Sequence, residues 1–253
     1  MSPPAPPPPS CAQAPTAIAR QASQKTFRIG PRAVFAPILI LVAAIFLLTS
    51  VYFAYARHQF AADGGDVQEK VHALLLDHLD WNGEGQALDI GCRNGVLTIA
   101  LAQTYSAACV TGIDYWGAGW EYSKRVWERN AALEGVESRV LFQKASASAL
   151  PFEDEAFDAV VGNLVFHEVK DATDKRVVVR ESLRVLKKGG RFAFQDLFLV
   201  NRMDGPPEDL VKTIRAWGIQ RVEFVPTRDA PFIPRPLKLP FMVGTMGILA
   251  GEK

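Results

Sequence analysis

Two kinds of hydrophobic pattern divide the chain. Ala33 to Ala56, AVFAPILILVAAIFLLTSVYFAYA, is a run of 24 residues without a charge. From Asp63 onward, short apolar runs alternate with stretches of helical period. Val71, Leu74, Leu75 and Leu79 give a helix over 67–79. Strands are expected at 86–90, 108–113, 139–144, 157–161, 191–195, 220–225 and 241–250. Helices are expected at 96–105, 119–133, 171–186 and 206–217, with Gly135 and Gly189-Gly190 as stops. Repeated strand–helix–strand order implies an α/β, doubly wound, mostly parallel sheet with helices on both faces.

At ~1.5 Å per residue the 33–56 segment reaches roughly 36 Å as a helix, enough to cross a ~30 Å hydrocarbon core. Tyr52, Tyr55 and Arg57 stand at one end as interfacial anchors do. A transmembrane helix is the reading adopted. Its rivals are a cleaved signal, since Ala54-Tyr55-Ala56 has the form of a cleavage site, and an organelle transit segment. The polar stretch ahead of it and its length both exceed those of a usual signal. Residues 1–32, with seven prolines among the first 15, cannot build a core and read as a disordered Pro-rich tail. The expected domains are therefore 1–32 tail, 33–56 membrane helix and 63–253 globular domain.

Charge adds an asymmetry that the net value of +1 conceals. Residues 1–62 hold five basic groups and no acid, which leaves 23 of the 28 basic and all 27 acidic residues to 63–253. That balance gives no ground for expecting a nucleic-acid partner. Cys11, Cys92 and Cys109 lack CxxC spacing, so neither a metal site nor a disulfide framework is indicated.

Candidate chemistry falls in loops after strands, where ligands of such sheets bind. Leu88-Asp89-Ile90-Gly91-Cys92-Arg93-Asn94-Gly95 joins a strand to a helix start, and its glycines permit close approach of the backbone to a ligand. Asp114 ends the next strand, 25 residues after Asp89, and can accept both hydroxyls of a ribose. The pair points to a nucleoside-containing cofactor.

On these residues the sequence resembles the class I S-adenosylmethionine-dependent methyltransferases from about Gln68 to Lys253. The segments that carry the likeness are ALDIGCRNGVLTIALA, TGIDYW, SASALPFEDEAFDAVVGNLVFHEV and LRVLKKGGRFAFQDLF. The resemblance implies a Rossmann-like, seven-stranded fold and S-adenosylmethionine as cofactor. It places the methionine part at the loop of Asp89, Gly91, Cys92, Arg93 and Gly95. It places the ribose at Asp114, the adenine against Tyr115, and the sulfonium opposite Asn163. Ser146-Ala147 stands where the family has an Asp-Ala pair, so Ser146 is expected to keep a weaker hydrogen bond to the adenine. Arg93 departs from the family glycine. It either obstructs the cofactor or meets its carboxylate with a guanidinium fork.

His167, just after the fourth strand, is a tentative catalytic base, needed only if the attacking atom is protonated. Asp196 shares that ambiguity, and Asp158 reads as structural. The sequence thus suggests a membrane-anchored methyltransferase acting on a small, lipophilic acceptor, with an inactive scaffold of the same fold as the alternative. Flanking charge, four basic residues before Ala33 against two after Ala56, leans toward an exported domain. Cofactor supply leans the other way and more strongly, so the domain is expected to face the cytosol.

Overall fold

The computed structural model describes Met1 and residues 31–115, 120–200, 205–219 and 221–253. The Pro-rich tail expected over 1–32 lies almost wholly outside them. The chain forms two compact units, Met1–Val51 and Tyr52–Lys253.

In the first unit, helix α1 (Pro31–Phe60) begins. From Phe35 to Val51 every side chain is exposed, and the apolar stretch is long enough to cross a membrane. The helix continues past Ala56 to Phe60, so its last two turns belong to the second unit.

The second unit is built on a seven-stranded sheet. Its strands are β1 (Gly85–Ile90), β2 (Ala108–Asp114), β3 (Val140–Lys144), β4 (Phe157–Asn163), β5 (Leu186–Asp196), β6 (Arg221–Pro226) and β7 (Gly247–Glu252). The order is β3-β2-β1-β4-β5-β7-β6, with β7 antiparallel to both neighbours and the other pairs parallel. Helices α2 (Val67–Asp77), α3 (Val96–Thr104), α4 (Trp120–Leu133), α5 (Lys175–Arg184) and α6 (Pro207–Ala216) connect them. This is the Rossmann-like architecture expected. Leu88, Ile90, Val160, Val161, Phe192 and Phe194 are fully buried, as strands covered on both faces must be. One core cluster joins the sheet to α5 and α6, and a second joins it to α2, α3 and α4. A third gathers Ala56, Val67, Val71, Leu237, Val243 and Met246.

Several element boundaries differ from expectation, and three of the differences have a clear physical reason. The helix expected over 171–186 spans only 175–184, because the Asp174 carboxylate accepts the Arg176 N–H (2.9 Å) and caps its start. Gly189 and Gly190 lie inside β5 rather than ending that helix. The last strand starts at Gly247 rather than 241, since its partners β5 and β6 end at Asp196 and Pro226, opposite Gly247. Residues 239–246 turn instead, with Met242 N–H on the Leu239 carbonyl and Met246 N–H on that of Val243. Asp158 is structural, as expected. Its carboxylate accepts the Gln86 N–H and the Lys187 ammonium (2.8 Å each), tying β1, β4 and β5 together.

Candidate functional site

Strands β1 and β4 are adjacent, and their connections leave in opposite directions, which opens a crevice at their carboxyl ends. The loop after β1 (Gly91–Gly95) and the turn after β4 (Leu164–Glu168) form its walls. Gly91 has φ +74°, and a Cβ there would lie 2.5 Å from Val165 Cγ2. Only glycine lets the two loops meet so closely. The Gly91 and Cys92 N–H groups both donate to the Ile113 carbonyl (2.8 and 2.9 Å). The Arg93 N–H donates to Asp114 Oδ2 (2.9 Å). These donors knit the loop to β2, so the loop offers a ligand clearance more than backbone N–H groups.

Two cavities flank the loop and share Gly91, Arg93, Asn94 and Leu164. The larger, about 700 Å³, adds Asp114, Tyr115, Ser146, Ala147, Glu168 and Asp171. The smaller, about 490 Å³, runs behind the loop along Asp89, Cys92 and Asn163. Its other wall is apolar, with Phe60, Val71, Phe241, Met242 and Met246, and carries the ring of His72.

Asp89 is fully buried. One oxygen accepts the Thr98 hydroxyl (2.6 Å), and Oδ1 has no partner. Burial pushes its pKa up to about 7. Asn163 also leaves Oδ1 buried and unpartnered, while its Nδ2 lies 3.0 Å from His72 Nε2. An amide nitrogen only donates, so Nε2 of His72 is the acceptor and the ring is neutral. Burial lowers the His72 pKa in the same sense. Two buried acceptors without a partner, on residues that line one cavity, favour a ligand that donates.

In the larger cavity, burial raises the Asp114 pKa despite the Arg93 N–H. Tyr115 is exposed, with the Lys144 ammonium 5.7 Å from its ring centre. Ser146 and Ser148 both donate to Asp171 Oδ2 (3.0 and 2.6 Å), and these bonds lower the Asp171 pKa. A carboxylate therefore stands beside Ser146 although the chain has no Asp at that point of the sequence.

Arg93 takes a left-handed backbone (φ +46°), the conformation glycine would adopt without strain. Its guanidinium reaches the Leu164 carbonyl (3.2 Å) and Glu168 Oε2 (3.0 Å), a bar between the two cavities. Cys92 is buried and packs beneath β2 near Gly112, and burial pushes its thiol pKa up. His167 lines neither cavity. Its Nδ1–H donates to Asp196 Oδ1 (2.6 Å), and that fully buried carboxylate also accepts the Phe166 and Leu197 N–H groups. The pairing raises the His167 pKa and leaves Nε2 turned away from the bonded side.

The structure thus brings Gly91, Arg93, Asp114, Tyr115, Ser146 and Ala147 to the larger cavity and Asp89, Gly91, Cys92, Arg93 and Asn163 to the smaller, while Gly95 lines neither. Two residues not singled out in the sequence join them. His72 hides in the apolar period of α2. Asp171 falls within an over-long predicted helix, and only the capping role of Asp174 would have freed it.

Residues 88–194 match the family described as methyltransferase domain. The chain is 32% identical over 61% of its length to the 27-O-demethylrifamycin SV methyltransferase of Amycolatopsis mediterranei, of which it covers 55%. It is 34% identical over 43% of its length to a ubiquinone/menaquinone biosynthesis C-methyltransferase of Desulfotalea psychrophila, covering 40% of that protein. Among solved structures, the geranyl diphosphate C-methyltransferase of Streptomyces coelicolor A3(2) superposes with a TM-score of 0.55. That match is 17% identical and covers 74% of this chain and 80% of that one. The chain spans about half the length of the first curated relatives it matches.

Proposed function

We propose that this chain is a class I S-adenosylmethionine-dependent methyltransferase that methylates a small lipophilic acceptor while anchored in a membrane by α1. The unpartnered, buried Oδ1 of Asp89 carries the reading, because it asks for a donor at the place where the methionine ammonium of this cofactor would lie. Asn163 Oδ1 supplies a second acceptor for the same group, and Asp114 would take the ribose hydroxyls. The Ser146–Ser148–Asp171 triad offers an acceptor for an exocyclic amine on the adenine side. The larger cavity lies in the size range of small-molecule and cofactor sites. The cofactor, when bound, supplies a methyl group on a sulfonium, and in-line transfer depends mainly on positioning.

The apolar wall of the second cavity suits an acceptor of low polarity, and relatives named for quinone and sterol methylation support that class. The His72 ring, on that same wall, would orient its polar end. His167 lines neither cavity, so its proposed role is to position the turn after β4 through its bond to Asp196 rather than to take a proton from the acceptor.

Calorimetric titration of the full chain in detergent with S-adenosylmethionine tests the cofactor. Micromolar binding is expected. Asp114→Ala should remove two hydrogen bonds to a charged acceptor, each worth roughly 1.5–3 kcal/mol, and weaken binding at least tenfold. Unchanged affinity in that variant would sink the assignment. Transfer of label from methyl-labelled cofactor into a membrane lipid extract separates an enzyme from an inactive scaffold, which would bind the cofactor and transfer nothing.

A further inference from the structure

Between β6 and β7 the chain makes a 20-residue excursion, residues 227–246. Its central part, Pro231–Phe241, holds four prolines, Arg235 and Lys238, and no acid. Ile233 and Leu237 are buried and pin it to the third core cluster. Leu239 (40% exposed) and Phe241 (65% exposed) point outward. Prolines fix the backbone, so these side chains are held out stiffly rather than on a floppy loop.

The last turns of α1 lie against this strap. The Tyr52 hydroxyl donates to the Pro236 carbonyl (2.9 Å). The Tyr52 ring meets Phe241 at 5.8 Å and Phe53 at 5.5 Å, so three aromatic rings form one continuous row. Phe53 is half exposed, and Arg57 follows one residue after the buried Ala56. Exposed aromatic and aliphatic groups in two segments that also carry Arg57, Arg235 and Lys238 and no acid are costly in water and suited to a bilayer interface with anionic headgroups. The chain enters this unit at Tyr52 directly from its apolar helix.

We propose that the Pro231–Phe241 strap and the Tyr52–Arg57 turns form a docking surface for an anionic lipid bilayer. This rests on α1 as a membrane span. Phe241 also lines the second cavity, so docking sets one wall of the acceptor site at the lipid surface.

The test uses the full chain with Cys11→Ser and Cys109→Ser, reconstituted in phosphatidylcholine–phosphatidylglycerol vesicles. A bimane label is placed at Phe241→Cys, or at Leu239→Cys in a second sample, and at the exposed Lys188→Cys as control. Lipids bearing a nitroxide near the headgroup should quench the 239 and 241 labels and spare the 188 label. Paired Arg235→Glu and Lys238→Glu changes should abolish the difference while the chain still resists alkaline extraction. Equal quenching at 188 and at both strap positions, in a chain that resists extraction, overturns the docking surface and leaves the anchor standing. Release by alkali with selective quenching retained supports docking and overturns the anchor. Release without selective quenching overturns both.

Discussion

Asp89 concentrates the tension between stability and ligand binding in a single carboxyl group. Its pKa is about 7 in the folded chain against an ordinary 3.8, so the folded state holds its proton more tightly than the unfolded one. Stability from this group therefore falls as pH climbs from near 3.8 to about 7, and the deficit is complete above that. The deficit is on the order of 4 kcal/mol at most. Asp89→Asn keeps an acceptor for Thr98 and removes the charge. The unliganded variant should melt higher than wild type at pH 8, and the two should converge near pH 4. Cofactor-induced stabilisation should shrink, since the acceptor for the ammonium is gone. A variant less stable than wild type at pH 8 would contradict this account of Asp89. Arg93 poses the opposite problem, a side chain where the family has none. Its pairing with Glu168 is more than half exposed on both partners, and such pairs contribute about 0–1 kcal/mol. The bar is thus easily swung aside. Arg93→Gly should relieve the left-handed strain and tighten cofactor binding by at most about fivefold. Weaker binding in titration would mean that the guanidinium grips the cofactor carboxylate instead.

At the scale of elements, the end of α1 matters most. A cleaved signal ending at Ala56 would strip Tyr55 and Ala56 from the cluster they form with Leu237 and Val243, and Tyr52 from the Pro236 carbonyl. N-terminal sequencing of the purified protein should therefore find no mature end at Arg57. Ala56 is 3% exposed, so Ala56→Leu forces extra methylenes into a filled site and should destabilise the second unit by about 1–3 kcal/mol in urea unfolding. No loss of stability in Ala56→Leu would show that the helix end is not seated there. The turn after β4 is the other decisive element. Asp196 holds Phe166 and His167 from below, which sets the wall that Gly91 approaches.

For the whole molecule, the prediction concerns sides of a membrane. If α1 spans a membrane and the proposed methyl transfer draws its cofactor from the cytosol, protease added outside intact cells should leave the second unit whole. Digestion from that side would reverse the topology. Much of this was legible in the chain itself. Strand–helix alternation, the glycine loop and the Asp89–Asp114 spacing come from local periodicity and turn chemistry, which act over a few residues and so are written in their order. The apolar run of α1 is equally local. Other features had no local signature. Asp171 reaches Ser146 across 25 residues of chain, and His72 reaches Asn163 across 91, because the sheet order folds them to one crevice. Arg93 was visible as a departure, but whether it blocks, grips or merely bars the site depends on Leu164 and Glu168, which the β1–β4 neighbourhood brings within reach. The helix end at Phe60 and the late start of β7 were set by long-range packing and by partner strands that stop at Asp196 and Pro226. Local preference determined which elements exist. Burial and pairing between distant segments decided where they end and which polar atoms were left for a ligand.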